Sequence, residues 1–249
     1  MNEYFISDHI RKLNELEIKE FKIKTNKKII DDLLELKDKT NKEIFEILKK
    51  NTYKEFDIKS SSEYGIESLL RFINLPKRDY YYLDIGAGTG YKTKLLRTSL
   101  DIKLENTFCL DLQSDNFETN IEKEACNFVY YDGNKMPFKD NSFNLITIFL
   151  VIHHVKNLDI FFREIYRILQ KKGFLIIREH DINNKHDDNN MKLLHLIYNI
   201  MKKKKIENYI EEVYLSKKEL LRKLNNFRLI KYSKENHFTK SRYYLFIKN

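Results

Sequence analysis

Apolar residues recur at helical spacing through the first 59 residues. Ile29, Ile30, Leu33, Leu34 and Leu36 form one stripe, and Ile44, Phe45, Ile47 and Leu48 form another. Charged residues fill the opposite faces, as expected of helices that bury one side. Neither Gly nor Pro interrupts this stretch, which predicts a helical extension over residues 1–59. Ser60 to Ser62 then break the pattern, and Ser62 reads as the cap of an amphipathic helix that Pro76 ends. Beyond it, β-rich runs alternate with helical ones. Strands are predicted at Tyr80 to Ile85, Thr107 to Leu110, Asn127 to Tyr131, Ser142 to about Val151, and Phe174 to Ile177, with helices at Tyr91 to Leu100 and Leu158 to Leu169. Asn183 to Asn190 is polar and reads as a mobile loop, a candidate lid. Met191 to Ile200 is helical, and Ser216 with Glu219 three residues on opens another helix. Phe227 to Tyr232 and Tyr243 to Ile247 are two final β-rich runs. Alternation of this kind predicts an α/β domain over residues 60–249.

The run Tyr80 to Gly90 carries the strongest signal. A buried strand ends in Asp84-Ile85, and Gly86, Gly88 and Gly90 follow at alternate positions before a helix begins. The chain has six glycines, and half stand in this turn. Glycine lets the backbone approach a ligand closely, and the helix beyond supplies unpaired N–H groups. The spacing G-x-G-x-G differs from the G-x-G-x-x-G of dinucleotide sites, which disfavours an NAD-dependent oxidoreductase.

D-I-G-A-G-T-G resembles the first motif of class I S-adenosylmethionine-dependent methyltransferases, in the style of the type 11 members. The resemblance runs from about Ser62 to the C-terminus. It implies a seven-stranded, mostly parallel Rossmann-like sheet with helices on both faces, S-adenosylmethionine as cofactor, and methyl transfer as the activity. Carried over residue by residue, it places Asp84, Gly86, Ala87, Gly88 and Gly90 under the methionine part of the cofactor. Asp111 and Leu112, in C-L-D-L at the end of the second strand, match the ribose-binding position. Asp132 and Gly133, followed by Met136-Pro137-Phe138, match the adenine-binding segment, with Gly133 in place of the usual Ala. Asn144 stands where the family usually has Asp. Ile152-His153-His154-Val155 resembles L-H-H-V, and Arg163 to Leu169 resembles R-E-x-x-R-V-L. Lys171-Lys172-Gly173 replaces the family's Pro-Gly-Gly, with Gly173 expected to end the helix. Arg178-Glu179-His180-Asp181 also resembles methyltransferase-like proteins of large DNA viruses.

His153, Glu179 and His180 leave the carboxyl ends of their strands, the edge where ligands bind in open α/β sheets. They are the candidate catalytic residues, any of which could take a proton from the methyl acceptor. Strand alternation would send Glu179 and His180 to opposite faces, so that one of them faces the cleft.

Composition narrows the remaining choices. No apolar run reaches about 18 residues, the length of a membrane span, and the N-terminus lacks a signal core. A cytoplasmic protein is expected. Cys109 and Cys126 read as small core residues in a reducing compartment rather than a disulfide or metal pair, and no zinc-spaced cluster appears. The net charge of +9 is uneven: residues 1–60, 61–181 and 182–249 carry +1, −1 and +9. A basic C-terminal third suits phosphate, and the four lysines Lys202 to Lys205 belong to it. Lys outnumbers Arg, 36 to 10, which fits an AT-rich coding sequence equally well. Cytosine C5 chemistry and Asn/Asp-Pro-Pro-Tyr amino methylation are disfavoured, because neither motif follows the fourth strand. The acceptor is therefore a small molecule or RNA. The alternative is a catalytically inactive methyltransferase-like scaffold or RNA-binding subunit, whose helices 1–59 dock a partner.

Overall fold

The structure is a computed structural model and describes residues 5–24, 27–48, 50–51, 58–112, 122, 124–201, 212–234 and 240–249. Lys202 to Lys205 lie outside the described residues. The chain divides into two compact units. One comprises residues 1–57 and 182–213, the other 58–181 and 214–249. A second segment, taken from within the span expected to be one methyltransferase domain, thus joins the N-terminal helices.

The larger unit is built on a seven-stranded sheet ordered β3-β2-β1-β4-β5-β7-β6. The strands are β1 (Tyr82–Ile85), β2 (Thr107–Leu112), β3 (Asn127–Tyr131), β4 (Phe143–Phe149), β5 (Leu169–His180), β6 (Phe227–Tyr232) and β7 (Ser241–Lys248). β1 to β5 pair in parallel, and β7 runs antiparallel between β5 and β6. Alternate residues serve opposite faces. Leu83, Ile85, Ile146, Ile148, Leu175 and Ile177 join one core, while Tyr82, Leu145 and Ile176 join the other. The first core is closed by Phe161, Phe162 and Ile165 of a helix at Leu158–Ile168 and by Leu220 and Leu224 at a helix spanning Lys217–Lys223. The second is closed by Ile66 and Leu69 of Ile58–Phe72 and by Leu96 of Tyr91–Ser99. Burial on both faces explains why these strands read as continuous apolar runs.

The helices of this unit follow α1 to α4 of the other, so Ile58–Phe72 is α5, Tyr91–Ser99 is α6, Leu158–Ile168 is α7 and Lys217–Lys223 is α9. α5 begins at Ile58, so Ser60 to Ser62 lie inside the helix instead of breaking it. The expected capping box at α9 is present: Ser216 Oγ accepts the Glu219 N–H, and Glu219 Oε2 accepts the Ser216 N–H at 2.9 Å. Gly173 does not end α7. Lys172 takes the left-handed conformation instead, at φ 60°. Gly173 is required by a close approach, since a Cβ there would stand 2.8 Å from the Gln170 carbonyl oxygen.

The smaller unit contains α1 (Phe5–Ile10), α2 (Glu15–Lys24), α3 (Lys27–Glu35), α4 (Asn41–Leu48) and α8 (Lys185–Met201). Its buried residues include Ile6, Ile29, Ile30, Leu33, Ile44, Phe45, Leu48, Leu194 and Ile197. Most of the polar stretch expected to be a mobile loop is the first turn of α8. Asn184 starts it by accepting the Asp187 N–H at 2.9 Å and donating to the Asp187 carboxylate at 2.9 Å. α8 is tied within its unit by His9 Nε2 against Asn190 Oδ1 at 2.7 Å and by a His186–Glu17 ion pair.

Cys109 and Cys126 form a disulfide, which corrects the expectation of two reduced thiols. β2 pairs β3 with Phe108 opposite Asn127, so the residue after one and the residue before the other come within a Cα distance of 5.8 Å. That is inside the range a disulfide needs.

Candidate active site

The glycine turn joins β1 to α6 and hydrogen-bonds to the end of β2, Gly86 N–H donating to the Leu110 carbonyl at 2.7 Å. Gly86, Gly88 and Gly90 all have positive φ, between 55° and 79°. Two of them also answer to space. A Cβ on Gly86 would stand 2.3 Å from Val151 Cγ2, and one on Gly90 would stand 2.9 Å from the Ala125 Cβ. Gly88 is different, because a Cβ there would meet nothing within 4 Å. The turn is therefore packed from below at its ends and open at its middle. The Gly88 N–H donates to Asp111 Oδ2 at 2.8 Å, and Leu112 N–H donates to Asp111 Oδ1 at 2.8 Å. Asp111 is thus held at the end of β2 against the open middle of the turn. Burial pushes its carboxyl upward, against those two N–H groups, which lower it.

Asp84 lies beneath the turn, buried. Thr147 Oγ1 donates to one of its oxygens at 2.6 Å and Thr93 Oγ1 to the other at 2.5 Å. Tyr82 and Thr147 share a further hydroxyl contact at 2.8 Å. Since the Thr147 hydrogen goes to Asp84, Tyr82 is the donor. Burial pushes the Asp84 carboxyl up to about 6 despite both hydroxyls. Asp84 anchors the turn from below.

Asp132 and Gly133 follow β3. Asp132 is exposed and accepts the Asn134 N–H at 2.9 Å, which holds its carboxyl below the usual range. Gly133 has φ 87° and lies close to Leu112, where a Cβ would sit 3.3 Å from Leu112 Cδ2. Tyr131, between the two acids Asp111 and Asp132, has its phenol pushed up to about 12, first by burial and then by those charges. Ala87 closes the turn, its carbonyl accepting the Gly90 N–H at 2.9 Å.

The R-E-x-x-R-V-L segment has a task here that the sequence did not disclose. Arg167 donates to the Met136 and Phe138 carbonyls, at 3.0 and 2.7 Å, and to Asp140 at 2.9 Å. Glu164 accepts two bonds from Arg167, at 2.9 and 2.7 Å, and the Met136 N–H at 2.9 Å. α7 thereby clamps the segment that follows Asp132 and Gly133. Asn144 is also explained: it accepts the Tyr81 N–H and donates to the Asp79 carbonyl. The family's usual Asp could not do both.

On the other half of the same edge, the three candidate catalytic residues converge. Leu150 takes φ 59° after β4 and leads into a short 3-10 turn, Ile152–His154. Glu179 accepts from Ile152 N–H at 2.8 Å, His180 N–H at 2.9 Å and His153 Nδ1 at 2.7 Å. Burial pushes the Glu179 carboxyl upward, against the two backbone N–H groups, which lower it; in its ionised form it accepts from all three, with a proton of His153 on Nδ1. His153, Glu179 and His180 are at most 3% exposed. Strand alternation does not separate Glu179 from His180: the His180 ring lies 5.0 Å from that of His153, and Tyr214 stands 5.4 Å from both. The donor atoms of the three lie within 4.8 Å of one another, a two-histidine, one-carboxylate set of the kind that also suits divalent metals. His154, beside His153 at 4.1 Å between rings, is exposed.

The sheet order, the glycine turn and the acid ending β2 define a class I methyltransferase fold. Residues 83–177 match the family model described as a methyltransferase domain, Methyltransf_11. The matched segment and the fold resemble the class I S-adenosylmethionine-dependent methyltransferases, and S-adenosylmethionine is the cofactor that resemblance indicates. The residues present fit that cofactor: an open glycine middle and a half-buried acid at the β2 end offer the room and the acceptors that a ribose-bearing ligand needs. Among relatives, the ubiquinone/menaquinone biosynthesis C-methyltransferase UbiE of Rhizobium rhizogenes is 29% identical over 114 residues, covering 42% of this chain and 43% of the relative. An uncharacterized protein of Methanocaldococcus jannaschii is 34% identical over 104 residues, 41% of each chain. The chain thus spans less than half the length of the curated relatives it matches. Two solved structures share the fold. A Pyrococcus horikoshii protein has a TM-score of 0.58 at 20% identity, over 78% of this chain and 92% of that one. An Aquifex aeolicus SAM-dependent methyltransferase has a TM-score of 0.55 at 17% identity, over 78% and 94%. Among the described residues, no helix is long and apolar enough to cross a membrane.

Proposed function

We propose that this protein transfers the methyl group of S-adenosylmethionine to an acceptor that gives up a proton at His153. The observation that carries the reading is the Glu179 carboxylate, which accepts Nδ1–H of His153 and two backbone N–H groups. It fixes the tautomer, so the Nε2 lone pair is the base, and a buried carboxylate beside the ring stabilises the imidazolium formed when the proton arrives. Glu179 is in this reading a positioning residue, and His180 packs the ring from the side. Asp111 takes the ribose hydroxyls, Asp132 the adenine amino group, and the Gly86 to Gly90 turn the methionine part, with Leu112 and Gly133 flanking the base. The cofactor supplies a methyl already activated on a sulfonium. The remaining task for the chain is to align the acceptor and remove its proton.

The relative named as a C-methyltransferase fits an acceptor that must lose a proton, since carbon and hydroxyl acceptors do so. A small molecule or an RNA satisfies this requirement. The test is transfer of tritiated methyl from S-adenosylmethionine into a metabolite extract and a total RNA preparation, by wild type and by Glu179→Gln. Label in one of the fractions, lower by about a hundred-fold or more in the variant, is the expected result. Wild-type rates in Glu179→Gln, or no label in either fraction from protein that binds the cofactor, would overturn the reading.

A further inference from the structure

Nearly all of the molecule's net charge sits on its last 36 residues. Residues 214–249 carry ten basic and two acidic side chains, +8 of the total +9. Among the described residues of this stretch are α9, β6 and β7, at one side of the sheet. Glu219, one of the two acids, is taken up by the capping box of α9. Lys218, Arg222, Arg228 and Lys234 are exposed.

The register places this surface on the functional edge. β6 and β5 both run antiparallel to β7, so β6 runs the same way as β5. Tyr232, at the end of β6, pairs with Tyr244, which pairs with Ile177 of β5. Tyr232 is therefore level with Ile177, two residues before Glu179 on β5. Tyr232 is 47% exposed. Lys217 Nζ lies 4.2 Å from the ring centroid and the Arg242 guanidinium 6.0 Å. Asp181 ties the two cations' supports together, accepting Lys217 N–H at 2.7 Å and Arg242 Nε–H at 2.6 Å. Tyr214, beside His153 and His180, is three residues from Lys217, a reach of no more than about 10 Å.

We infer that α9, β6 and β7 form a docking surface for single-stranded RNA, which delivers the acceptor nucleotide to the His153–Glu179 pair. An exposed aromatic ring among cations is what a base-and-phosphate chain requires: the ring stacks a base and the cations meet the phosphates on either side of it. A strand with unpaired bases is needed both to stack on Tyr232 and to bring one base to a buried histidine. An anionic lipid surface would use the charge but has no use for the ring's position beside the acceptor cluster. The inference rests on the proposed methyltransferase reading and selects RNA over the small molecule.

The test uses the full chain and a fluorescein-labelled, mixed-sequence 20-nucleotide RNA, followed by anisotropy across a sodium chloride series. Binding should weaken with salt with a log–log slope of about −0.7 per phosphate contact. Tyr232→Ala should weaken it by about ten-fold or more, Tyr232→Phe by less than about two-fold, and Arg228→Ala should make the slope shallower by about one contact. Lys103→Ala, away from the patch, should change nothing. Calorimetry with S-adenosylhomocysteine on each variant shows whether the fold and cofactor site survive. Loss of that binding in wild type sinks the methyltransferase reading itself, whereas intact cofactor binding without RNA binding sinks the docking surface alone. The docking surface is also overturned if Tyr232→Ala binds RNA like wild type. It fails too if duplex DNA, or 7:3 phosphatidylcholine–phosphatidylserine vesicles, bind as well as the RNA and Tyr232→Ala leaves that binding unchanged.

Discussion

Asp84 makes stability depend on pH in a way that one substitution isolates. Its carboxyl is pushed from 3.8 up to about 6, first by burial, with the Thr147 and Thr93 hydroxyls holding it partly down. Between about pH 4 and pH 6 the native state keeps a proton that the unfolded chain has lost. Stability contributed by this group therefore falls as pH rises through that window and is level above it. At about 1.4 kcal/mol per pKa unit, the ionised form costs about 3 kcal/mol at pH 7. Asp84→Asn removes that cost. It also replaces one acceptor with a donor, so one threonine hydroxyl must turn, at about 1 kcal/mol. The variant should be more stable than wild type by about 1–2 kcal/mol at pH 7.5, and less stable by about 1 kcal/mol near pH 4. Urea unfolding followed by far-UV circular dichroism at several pH values gives the difference directly, because other titrating groups cancel between the two proteins. A difference that stays constant from pH 4 to 7.5 would refute the assignment of the shift to Asp84.

Other substitutions separate stability from binding. Gly88→Ala adds a methyl where a Cβ meets nothing, so it should cost only the left-handed backbone, about 1–2 kcal/mol, yet abolish S-adenosylhomocysteine binding by calorimetry; Gly86→Ala, driven into Val151, should fail to give a folded domain. Arg167→Ala breaks the clamp on Met136 to Asp140 and strands Glu164, and should cost about 3 kcal/mol, seen as a lower thermal midpoint, with Arg167→Lys recovering little because the fork geometry is lost. Reducing the Cys109–Cys126 bridge, which closes 17 residues, should cost about 3 kcal/mol in urea melts with and without reductant. Glu179→Gln should release the Nδ1–H preference of His153, read from nitrogen chemical shifts in a histidine-labelled sample.

The glycine turn and the strand-end acids could be placed in the fold from the sequence because each follows a recognisable apolar run. The glycines, Asp111 and Asp132 each sit at the end of a strand whose apolar run marks it, and the parallel pairing of β1, β2 and β3 sets those three ends along one edge. The clamp of Glu164 and Arg167 was not legible: the R-E-x-x-R-V-L likeness marked both residues but not their task, and only the fold brings the Met136 to Asp140 segment to them. The same holds for the disulfide, which depends on the β2–β3 register. Pleat alternation misjudged Glu179 and His180, because Leu150 and the 3-10 turn bring His153 to both. The first turn of α8 was missed because Asn184 and Asp187 are polar, and polarity was read as a loop although that pair is also a helix start.

The central claim is that the turn from Gly86 to Gly90 and Asp111 hold S-adenosylmethionine. Calorimetric titration of the full chain with S-adenosylhomocysteine, repeated on Asp111→Ala, tests it most directly. One site of micromolar affinity in wild type, lost in the variant, is the result expected. No binding to wild type, or equal binding by both proteins, would contradict it.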